Sequence, residues 1–508
     1  MDAQTGAAAT AAEAAAEATP PGTKQLTATG RSLDRSLLVG VAWTAGVKWL
    51  AQVLSWTSTF VLARILSPND YGLFGMAQVF MALLGPIYDF GAGATVIQRR
   101  DYGPRQVAEV GGIGLIFGAI LFVLTLLAAR PIGWFFHEPA VVPIVLLISV
   151  FQLIRSLQVL PRSLLARDLE FRQLALLDGT SQIVATISMF TLALMGFGVW
   201  TLPMGPIAAA LVTTPMALRM RRHRVAWPRD RTTLRETVRF GYHVITARIG
   251  RYLYGDSDFL IVGRVLGKTA LGLYTIGWTI ATIPVERISE LLTQVAPSVF
   301  SAVQNERAEI RRYFLAISQG LAILTVPASV GLALTAHDFV LVVLGEKWRM
   351  AIVPLQILSL YAAFRSLTTV TAPVLVATGH ARSDMRFTML ATLVLPVLFY
   401  IGTRWGTTGV AVAWVVGFPV VALPLFRLVF RLLDVRAVDY LRALEPALVS
   451  TAVMAAGVLL VQWLATNRLP AGAALAAECL TGAAIYGAMM RARYWDRVRS
   501  FVAIVRKR

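Results

Sequence analysis

The hydrophobic positions of this chain lie in long, uninterrupted runs that recur along nearly the whole sequence. The runs are about 20–25 residues long, which is the length that a helix needs to cross the apolar core of a bilayer. Short polar stretches, rich in arginine, separate one run from the next. The pattern predicts fourteen helices, at 37–63, 71–97, 107–129, 141–161, 174–195, 198–218, 240–263, 271–298, 313–336, 350–377, 387–403, 408–430, 445–465 and 471–490.

The composition favours an all-α polytopic membrane protein. Of the 508 residues 56% are hydrophobic and only 15% are charged, whereas a soluble domain carries about 25% charged residues. Residues 1–36 contain no apolar core of signal-peptide length, so we expect a disordered cytoplasmic tail and no cleavable signal. Because Cys479 is the only cysteine, an intramolecular disulfide is excluded.

The net charge of +19 is explained by orientation in the membrane and does not require nucleic acid as a partner. Basic residues beside membrane spans stay on the cytoplasmic side. When the loops are assigned alternately, starting inside, 33 of the 47 Lys and Arg residues fall inside and 8 fall outside. A miscounted helix would scramble this bias, so we expect a multi-pass protein of the bacterial inner membrane with both termini cytoplasmic. The basic tail 491–508 fits the same rule, or contact with anionic lipid headgroups.

One short motif occurs twice, as "ARILSPNDYGLFGM" at 63–76 and as "GRVLGKTALGLYTI" at 263–276. Six predicted crossings separate the copies. Since six is even, both copies enter the membrane in the same direction, as parallel repeats do. The sequence therefore predicts two six-helix lobes around a central cavity, followed by two extra helices. The predicted divisions are a tail at 1–36, an N-terminal lobe at 37–235, a C-terminal lobe at 236–434, helices 13 and 14 at 435–490, and a basic tail at 491–508.

Charged residues inside the predicted spans are candidates for a functional site, because a charge at mid-span costs about 2.5–3.5 kcal/mol. The offset of 200 between the repeats pairs Lys48 of helix 1 with Arg248 of helix 7. These two and Arg365 have no acidic residue within one turn, so we expect them to face a hydrated cavity, together with Arg251. Guanidinium groups bind phosphate oxygens in a bidentate manner, so such a cavity selects anionic solutes or lipid headgroups.

The charges of helices 7 and 8 allow two interpretations. Arg251 lies close in sequence to Asp256 and Asp258, and Arg287 lies one turn from Glu290, so these residues could pair and hold helices together. They could instead face the cavity. A carboxylate there could also couple transport to a proton or a sodium ion, and the sequence leaves both the coupling and the ion open.

Three more charges within spans are ambiguous. Asp89 and Asp178 could cap a helix or pair locally, and Arg155 could face the cavity or extend to the headgroups. The five histidines are scattered, and neither a Ser/His/Asp arrangement nor a phosphate-binding glycine loop is present. We therefore expect no catalytic site, no metal site and no cofactor.

Five stretches, taken in order, resemble the bacterial polysaccharide transporters, the Wzx-type O-antigen and exopolysaccharide flippases of the multidrug/oligosaccharidyl-lipid/polysaccharide (MOP) superfamily. The resemblance spans roughly residues 33–430 and implies two lobes in a V around a cationic cavity. It also implies a substrate, undecaprenyl-pyrophosphate-linked oligosaccharide, which is moved from the inner to the outer leaflet. The stretches are "LARILSPNDYGLFGMAQVF", "DFGAGATVIQRRD", "LPRSLLARDLEFRQLALLD", "GDSDFLIVGRVLG" and "APSVFSAVQNERAEIRRYF".

We predict a flippase that works by alternating access and binds pyrophosphate through Lys48, Arg248, Arg251 and Arg365. A polymerase and a chain-length regulator of the same pathway are expected partners. The alternatives are a lipid II flippase or a multidrug/cation antiporter of the same superfamily, although helix 1 lacks the carboxylate that drug exporters often carry. A membrane O-antigen polymerase or acyltransferase is disfavoured, because the longest external segment, around 337–349, is short.

Overall fold

The computed structural model describes residues 54–89, 92–99, 101–230, 232, 234–239, 252, 254–303, 306–465, 468–497 and 499. Within these ranges the regular elements are all helical. The main helices are α1 at 54–65, α2 at Pro68–Asp89, α3 at Ala92–Gln98, α4 at Pro104–Phe136, α5 at Val141–Arg167, α6 at Phe171–Leu194, α7 at Thr201–Met220, α8 at Ser257–Val265, α9 at Gly267–Ala302, α10 at Arg307–Phe339, α11 at Ile352–Thr368, α12 at Thr371–Ala377, α13 at Ala381–Gly402, α14 at Gly406–Leu433, α15 at Ala437–Ala465 and α16 at Ala471–Arg493.

The predicted fold class is confirmed. In the part of the chain that the structure describes, nine helical stretches are long and apolar enough to cross a membrane. The longest stretch, Ala381–Leu433, contains two helices, α13 and α14, because the chain turns at Thr403–Trp405 and the two helices pack against each other. The chain is therefore a polytopic α-helical membrane protein.

One helix that the sequence predicts as continuous is built from two pieces. The predicted helix 350–377 consists of α11 and α12. This break has a local cause. Pro373 lacks the backbone N–H that would bond to the carbonyl of Thr369, so the helix ends before it and begins again.

The doubled motif forms the contact between the two lobes, where α2 packs against α9. A Cβ atom built on Gly72 would collide with the carbonyl oxygen of Lys268, and one built on Gly272 would collide with that of Pro68. Both contacts pair positions that are equivalent at the offset of 200. Glycine is needed at both positions because the helix backbones touch there. The sequence repeat is thus a structural repeat, and its two copies meet each other.

The hydrophobic cores show how the lobes are joined. At the end of the molecule where α1 ends, one continuous core contains Met76 and Ile144 from the first lobe and Tyr274 and Trp414 from the second. Away from that end the cores are separate. One of them, around Phe314, lies entirely among second-lobe helices and α15, and two smaller ones lie in the first lobe. The lobes are therefore closed at one end and part towards the other.

The last two helices extend the second lobe. Helix α15 packs along α10, and α16 packs on both α15 and α10. Two hydrogen bonds from side chains fix this attachment: Gln462 Nε2 donates to the carbonyl of Leu334 at 2.9 Å, and the Tyr486 hydroxyl donates to the carbonyl of Ile323 at 2.7 Å. Helices α15 and α16 therefore lie on the outside of α10, beside the contact between the lobes.

Candidate functional site

A polar cavity of about 290 Å³ lies between α9 and α11. Its wall carries Glu286, Arg365 and the hydroxyl-bearing residues Thr282, Ser366 and Thr369. Arg365 Nη1 donates to Glu286 Oε1 at 3.2 Å, while their side chains remain 38% and 54% exposed. The ion pair therefore joins two helices, and both of its side chains also line the cavity. Intramembrane charges were considered either as structural pairs or as cavity-lining groups, and these two residues are both.

Arg365 lies where the lobes begin to part. One turn before it, Tyr361 belongs to the shared core, and shortly after it Leu367 belongs to the separate core of the second lobe. The guanidinium carbon also lies 5.9 Å from the centre of the Trp278 ring, a distance at which a cation is attracted to an aromatic face. Arg365 is therefore held by one carboxylate and one indole, with part of its donor set open to a ligand.

Asp258 of α8 is fully buried and ties three helices together. Its Oδ2 accepts hydrogen bonds from the Tyr274 hydroxyl of α9 at 2.6 Å and from Trp414 Nε1 of α14 at 2.8 Å. Its other oxygen has no hydrogen-bond partner among the described residues. Asp256 is partly buried at the bend that precedes α8. The partners of Asp258 thus lie on other helices.

In the first lobe, Asp178 of α6 forms an ion pair with Arg162 of α5. Arg155 is exposed and lies two turns before Arg162, so both are on the same face of α5. Deeper in this lobe, Gln158 Nε2 donates to the hydroxyls of Thr213 and Thr214 on α7 at 3.1 and 2.7 Å. The first lobe therefore combines charged pairs between its helices, such as Arg162–Asp178 and Arg221–Asp168, with a neutral polar network.

The closed end is held by polar contacts that cross between the lobes. Arg64 of α1 donates to the carbonyl oxygens of Val342 and Val343, at 2.6 and 3.2 Å, and Trp348 Nε1 donates to the carbonyl of Ala63 at 2.8 Å. These contacts join the first copy of the motif to the end of α10 and the turn after it.

The second copy makes corresponding contacts in the other direction. Arg264 contacts His137 at the end of α4, and Lys268 forms an ion pair with Glu138 at 2.9 Å. Asn69 and Thr269, equivalent positions of the repeat, bond directly to each other at 2.5 Å. Each lobe therefore bonds to a loop region of the other lobe, and contacts from both lobes stabilise the closed end.

A second cavity, of about 620 Å³, is almost entirely apolar and opens on the side of the molecule. We call it the lateral groove. Trp56 and Phe60 of α1 form one wall, and Ile280 and Ile283 of α9 form the next. Helices α10, α15 and α16 complete it. Since α1 belongs to the first lobe and α9 to the second, the groove lies along the line where the lobes meet.

Several residues predicted to form the site fall outside what the structure describes. Lys48, Arg248 and Arg251 are not in the described ranges, and for Asp89 and Arg287 the backbone alone is described. Their roles stay predictions, as do the domain boundaries. In the described ranges, no three His, Cys, Asp or Glu side chains are grouped as metal ligands.

Sequence reasoning overlooked the aromatic residues of this site. Trp278 lies within 5.4–5.7 Å of Phe259, Tyr361 and Trp414, measured between ring centres, and so forms the middle of an aromatic cluster between Arg365 and Asp258. The sequence does contain a signal for them. Tyr274, Trp278 and Glu286 are spaced four and eight residues apart, which places the three side chains on one face of α9.

Comparison with known proteins agrees with this geometry. The lipopolysaccharide biosynthesis protein WzxC of Escherichia coli (strain K12) is 25% identical over 395 residues, covering 75% of this chain and 78% of WzxC. The teichuronic acid biosynthesis protein TuaB of Bacillus subtilis (strain 168) is 25% identical over 361 residues, covering 70% of this chain and 74% of TuaB.

A solved structure of the lipid II flippase MurJ in an inward closed conformation superposes with a TM-score of 0.73. It is 14% identical, and the match covers 90% of this chain and 99% of that one, so it shows a shared fold. A family model described as polysaccharide biosynthesis protein matches residues 61–354, which is more than half of the chain. The chain therefore belongs to the polysaccharide biosynthesis protein family.

Proposed function

We propose that this protein flips an undecaprenyl-pyrophosphate-linked oligosaccharide from the inner to the outer leaflet of the bacterial cytoplasmic membrane. The observation that carries the proposal is the division of α9 into two faces. Ile280, Ile283 and Pro284 line the lateral groove, while Thr282 and Glu286 line the polar cavity. One helix thus separates an apolar space from a polar, cation-bearing space, which matches a substrate with an apolar tail and an anionic head.

The tail of the substrate would lie in the lateral groove. The groove opens sideways at the line between the lobes, so a polyprenyl chain can stay among lipid tails while its head is inside the protein. The apolar lining makes this favourable, at about 25 cal/mol for each Å² of apolar surface removed from water.

The pyrophosphate would bind in the polar cavity, where Arg365 is held beside Trp278 and keeps free donors. Lys48, Arg248 and Arg251 are proposed to add to its charge. Glu286 would orient the Arg365 guanidinium while the cavity is empty, and the more highly charged pyrophosphate would displace it. The sugars would occupy the wider, hydrated part of the cleft, where the lobes part.

Transport would follow from rocking of the two lobes. The contacts at the closed end, on the face that the charge pattern predicts to be external, would break as the opposite end closes. The exposed substrate then leaves on the other side. In this scheme the protein forms and breaks no covalent bond, both termini are cytoplasmic, and the flipped product passes to the polymerase and chain-length regulator of the same pathway. Whether a proton or a sodium ion drives the cycle is left open.

The test is Arg365→Ala in a strain that depends on this chain for surface polysaccharide. We expect export to fall roughly tenfold or more, since a hydrogen bond to a charged group contributes about 1.5–3 kcal/mol and 1.4 kcal/mol is a factor of ten. Export is measured as polysaccharide at the cell surface, and lipid-linked precursor should accumulate in the inner leaflet.

The matched control is Arg404→Ala. Arg404 is also exposed, but it lies in the turn between α13 and α14, away from both cavities. This variant should export normally. Normal export by Arg365→Ala at the wild-type protein level would count against the proposed binding site, and export lost equally in both variants would show a general defect.

A further inference from the structure

The arginine-rich linker that follows α7 begins with a non-helical segment, residues 221–230, which we call the strap. The strap lies against the first turns of α4. The backbone N–H of Ala226 donates to the carbonyl of Ala108 at 3.0 Å, and the backbone N–H of Asp230 donates to Glu109 Oε2 at 3.2 Å. The middle and the end of the strap are therefore bonded to one helix of the first lobe.

The start of the strap and the helical turn beyond it are bonded to the same lobe. Arg221 forms an ion pair with Asp168 at the end of α5, at 2.7 Å. After the strap, Glu236 accepts hydrogen bonds from Arg99 Nη2 at 3.1 Å and from the Tyr102 hydroxyl at 2.9 Å. The strap is thus a fixed part of the first lobe, and its outer side chains have defined positions.

The side chains of the strap divide into an inner and an outer set. Ala226 and Pro228 are partly buried, and a Cβ atom on Gly112 of α4 would collide with the Ala226 carbonyl oxygen. The exposed outer set consists of Arg222, Arg224, Val225, Trp227 and Arg229. None of these three arginines forms an ion pair with a described residue. Three cations and one indole are therefore presented on the outside of the strap.

The depth of the strap in the bilayer follows from the charges of α4. Residues 110–129 of this helix carry no charged side chain, and Glu109 and the exposed Arg130 flank them. A helix of this length spans about 30 Å, which matches the hydrocarbon core of a bilayer. Because the strap bonds to Ala108 and Glu109, it lies at one boundary of that core, at the level of the lipid headgroups. The charge pattern predicts this side to be cytoplasmic.

The outer set has the chemistry of a site for anionic lipid. Guanidinium groups bind phosphate oxygens through paired N–H donors, and each basic residue beside an anionic leaflet raises the affinity for it about fivefold. Tryptophan is enriched at the same level of the membrane. Orientation in the membrane would account for the arginines, but it requires neither the indole nor a bonded strap at headgroup depth. An acidic protein segment would approach from the aqueous side, so the depth favours lipid.

We propose that the strap binds the headgroups of anionic phospholipids through Arg222, Arg224 and Arg229, with the Trp227 ring at the boundary between headgroups and acyl chains. The group that is bound is the phosphodiester of a bulk lipid such as phosphatidylglycerol. The site shares no residue with the polar cavity or the lateral groove. Bound headgroups anchor the first lobe to the membrane surface, whatever substrate the protein carries.

Local enrichment of lipid beside the strap tests the proposal. The full-length protein with Trp227→Cys in a Cys479→Ser background carries one fluorophore, in nanodiscs of phosphatidylcholine and phosphatidylglycerol. The same nitroxide quencher is attached to the upper acyl chain of one lipid or of the other. We expect labelled phosphatidylglycerol to quench roughly twofold more than labelled phosphatidylcholine, because it collects at the arginines. Adding Arg222→Gln/Arg224→Gln should remove this excess, whereas Arg222→Lys/Arg224→Lys, which keeps the charge, should retain most of it.

The matched control position is Trp405, also changed to cysteine in the Cys479→Ser background. Trp405 is 68% exposed, against 71% for Trp227, and it follows the exposed Arg404 in the turn between α13 and α14. This turn has one arginine and no strap, so the two labelled lipids should quench the fluorophore there nearly equally.

Equal quenching by the two lipids at position 227 would overturn the proposal and would assign the arginines to an acidic protein partner instead. An excess that persists in Arg222→Gln/Arg224→Gln would also overturn it. So would an excess that is equally large at position 405, since the attraction would then come from the net charge of the whole protein. The measurement uses no lipid-linked oligosaccharide and no export, so its outcome is independent of the flippase assignment.

Discussion

The two lobes of this protein are nearly equivalent at the closed end and very different inside. At the closed end the equivalence extends to single residues: Gly72 and Gly272 allow the same close approach of backbones, and Asn69 bonds to Thr269. Arg64 and Arg264 each reach a loop of the opposite lobe. In the proposed rocking motion these two surfaces part and rejoin, so two copies of one sequence would share a mechanical role.

The interiors have diverged. Ser58 and Asp258 are equivalent at the offset of 200, and both are buried, with exposures of 2% and 0%. Only Asp258 is an ionisable residue, and it is bonded to Tyr274 and Trp414. The first lobe has a neutral network around Gln158 in its interior. The comparison indicates that the repeat is preserved where the two lobes touch, and that equivalent interior positions such as 58 and 258 have diverged.

The largest effect is expected where the repeat is most symmetrical. Gly72→Leu and Gly272→Leu should both reduce export at least tenfold, since each added side chain meets backbone and overpacking costs about 1–3 kcal/mol or more. Surface polysaccharide, normalised to the amount of protein in the membrane, is the measurement. If one variant exports normally while the other does not, the two copies are not mechanically equivalent.

The control for this pair is Gly487→Leu on α16. A Cβ built on Gly487 meets nothing within 4 Å, so the same substitution in a helix is made without a collision. Export should stay near the wild-type level, and a loss there would point to insertion or folding as the cause.

A smaller effect should distinguish the interiors. Asp258→Ala leaves the Tyr274 hydroxyl without its acceptor and leaves the Trp414 indole with only the Tyr274 oxygen, at 3.1 Å. An unsatisfied buried donor costs about 1–3 kcal/mol. Ser58→Ala removes a hydroxyl that has no hydrogen-bond partner among the described residues, so it should change stability little. Thermal unfolding of the purified proteins measures both. Equal shifts in the two midpoints would contradict the asymmetry, and Asp258→Asn, which keeps an acceptor, should lie between them.

The helical architecture could be predicted from the sequence for two reasons. Each helix that crosses the membrane needs an apolar run of sufficient length, and the basic residues beside it lie mainly on the cytoplasmic side. The repeat was readable as well, since Gly72 and Gly272 are required by backbone contact and so stay alike in both copies. The break after Thr368 has a signal in the sequence, Pro373, but the hydrophobic pattern, which predicted one helix at 350–377, does not show it. These features depend on local chemistry or on regular spacing.

The site was less predictable because its contacts join distant parts of the chain. Arg365 lines the polar cavity together with Glu286, its ion-pair partner, which lies on another helix. The partners of Asp258, Tyr274 and Trp414, are likewise on other helices, and no periodicity indicates them. The lateral groove depends on how α15 and α16 dock on α10, which a hydrophobic run does not encode.

The smallest effect concerns an ion pair at the closed end that the first copy of the motif does not repeat. Lys268 pairs with Glu138, whereas its equivalent position in the first copy is Pro68, which has no charge. Both partners are partly exposed, so the pair contributes about 0.2–1 kcal/mol. Lys268→Glu should therefore raise the population of molecules in which this end is open by up to about fivefold.

A cysteine at the buried position Leu66, introduced in a Cys479→Ser background, reports this population through the rate at which a thiol reagent labels it. The charge-swapped double variant Lys268→Glu/Glu138→Lys should label as slowly as the parent. Labelling of Lys268→Glu at the parent's slow rate would show that the closed end relies on its apolar core and on its other polar contacts.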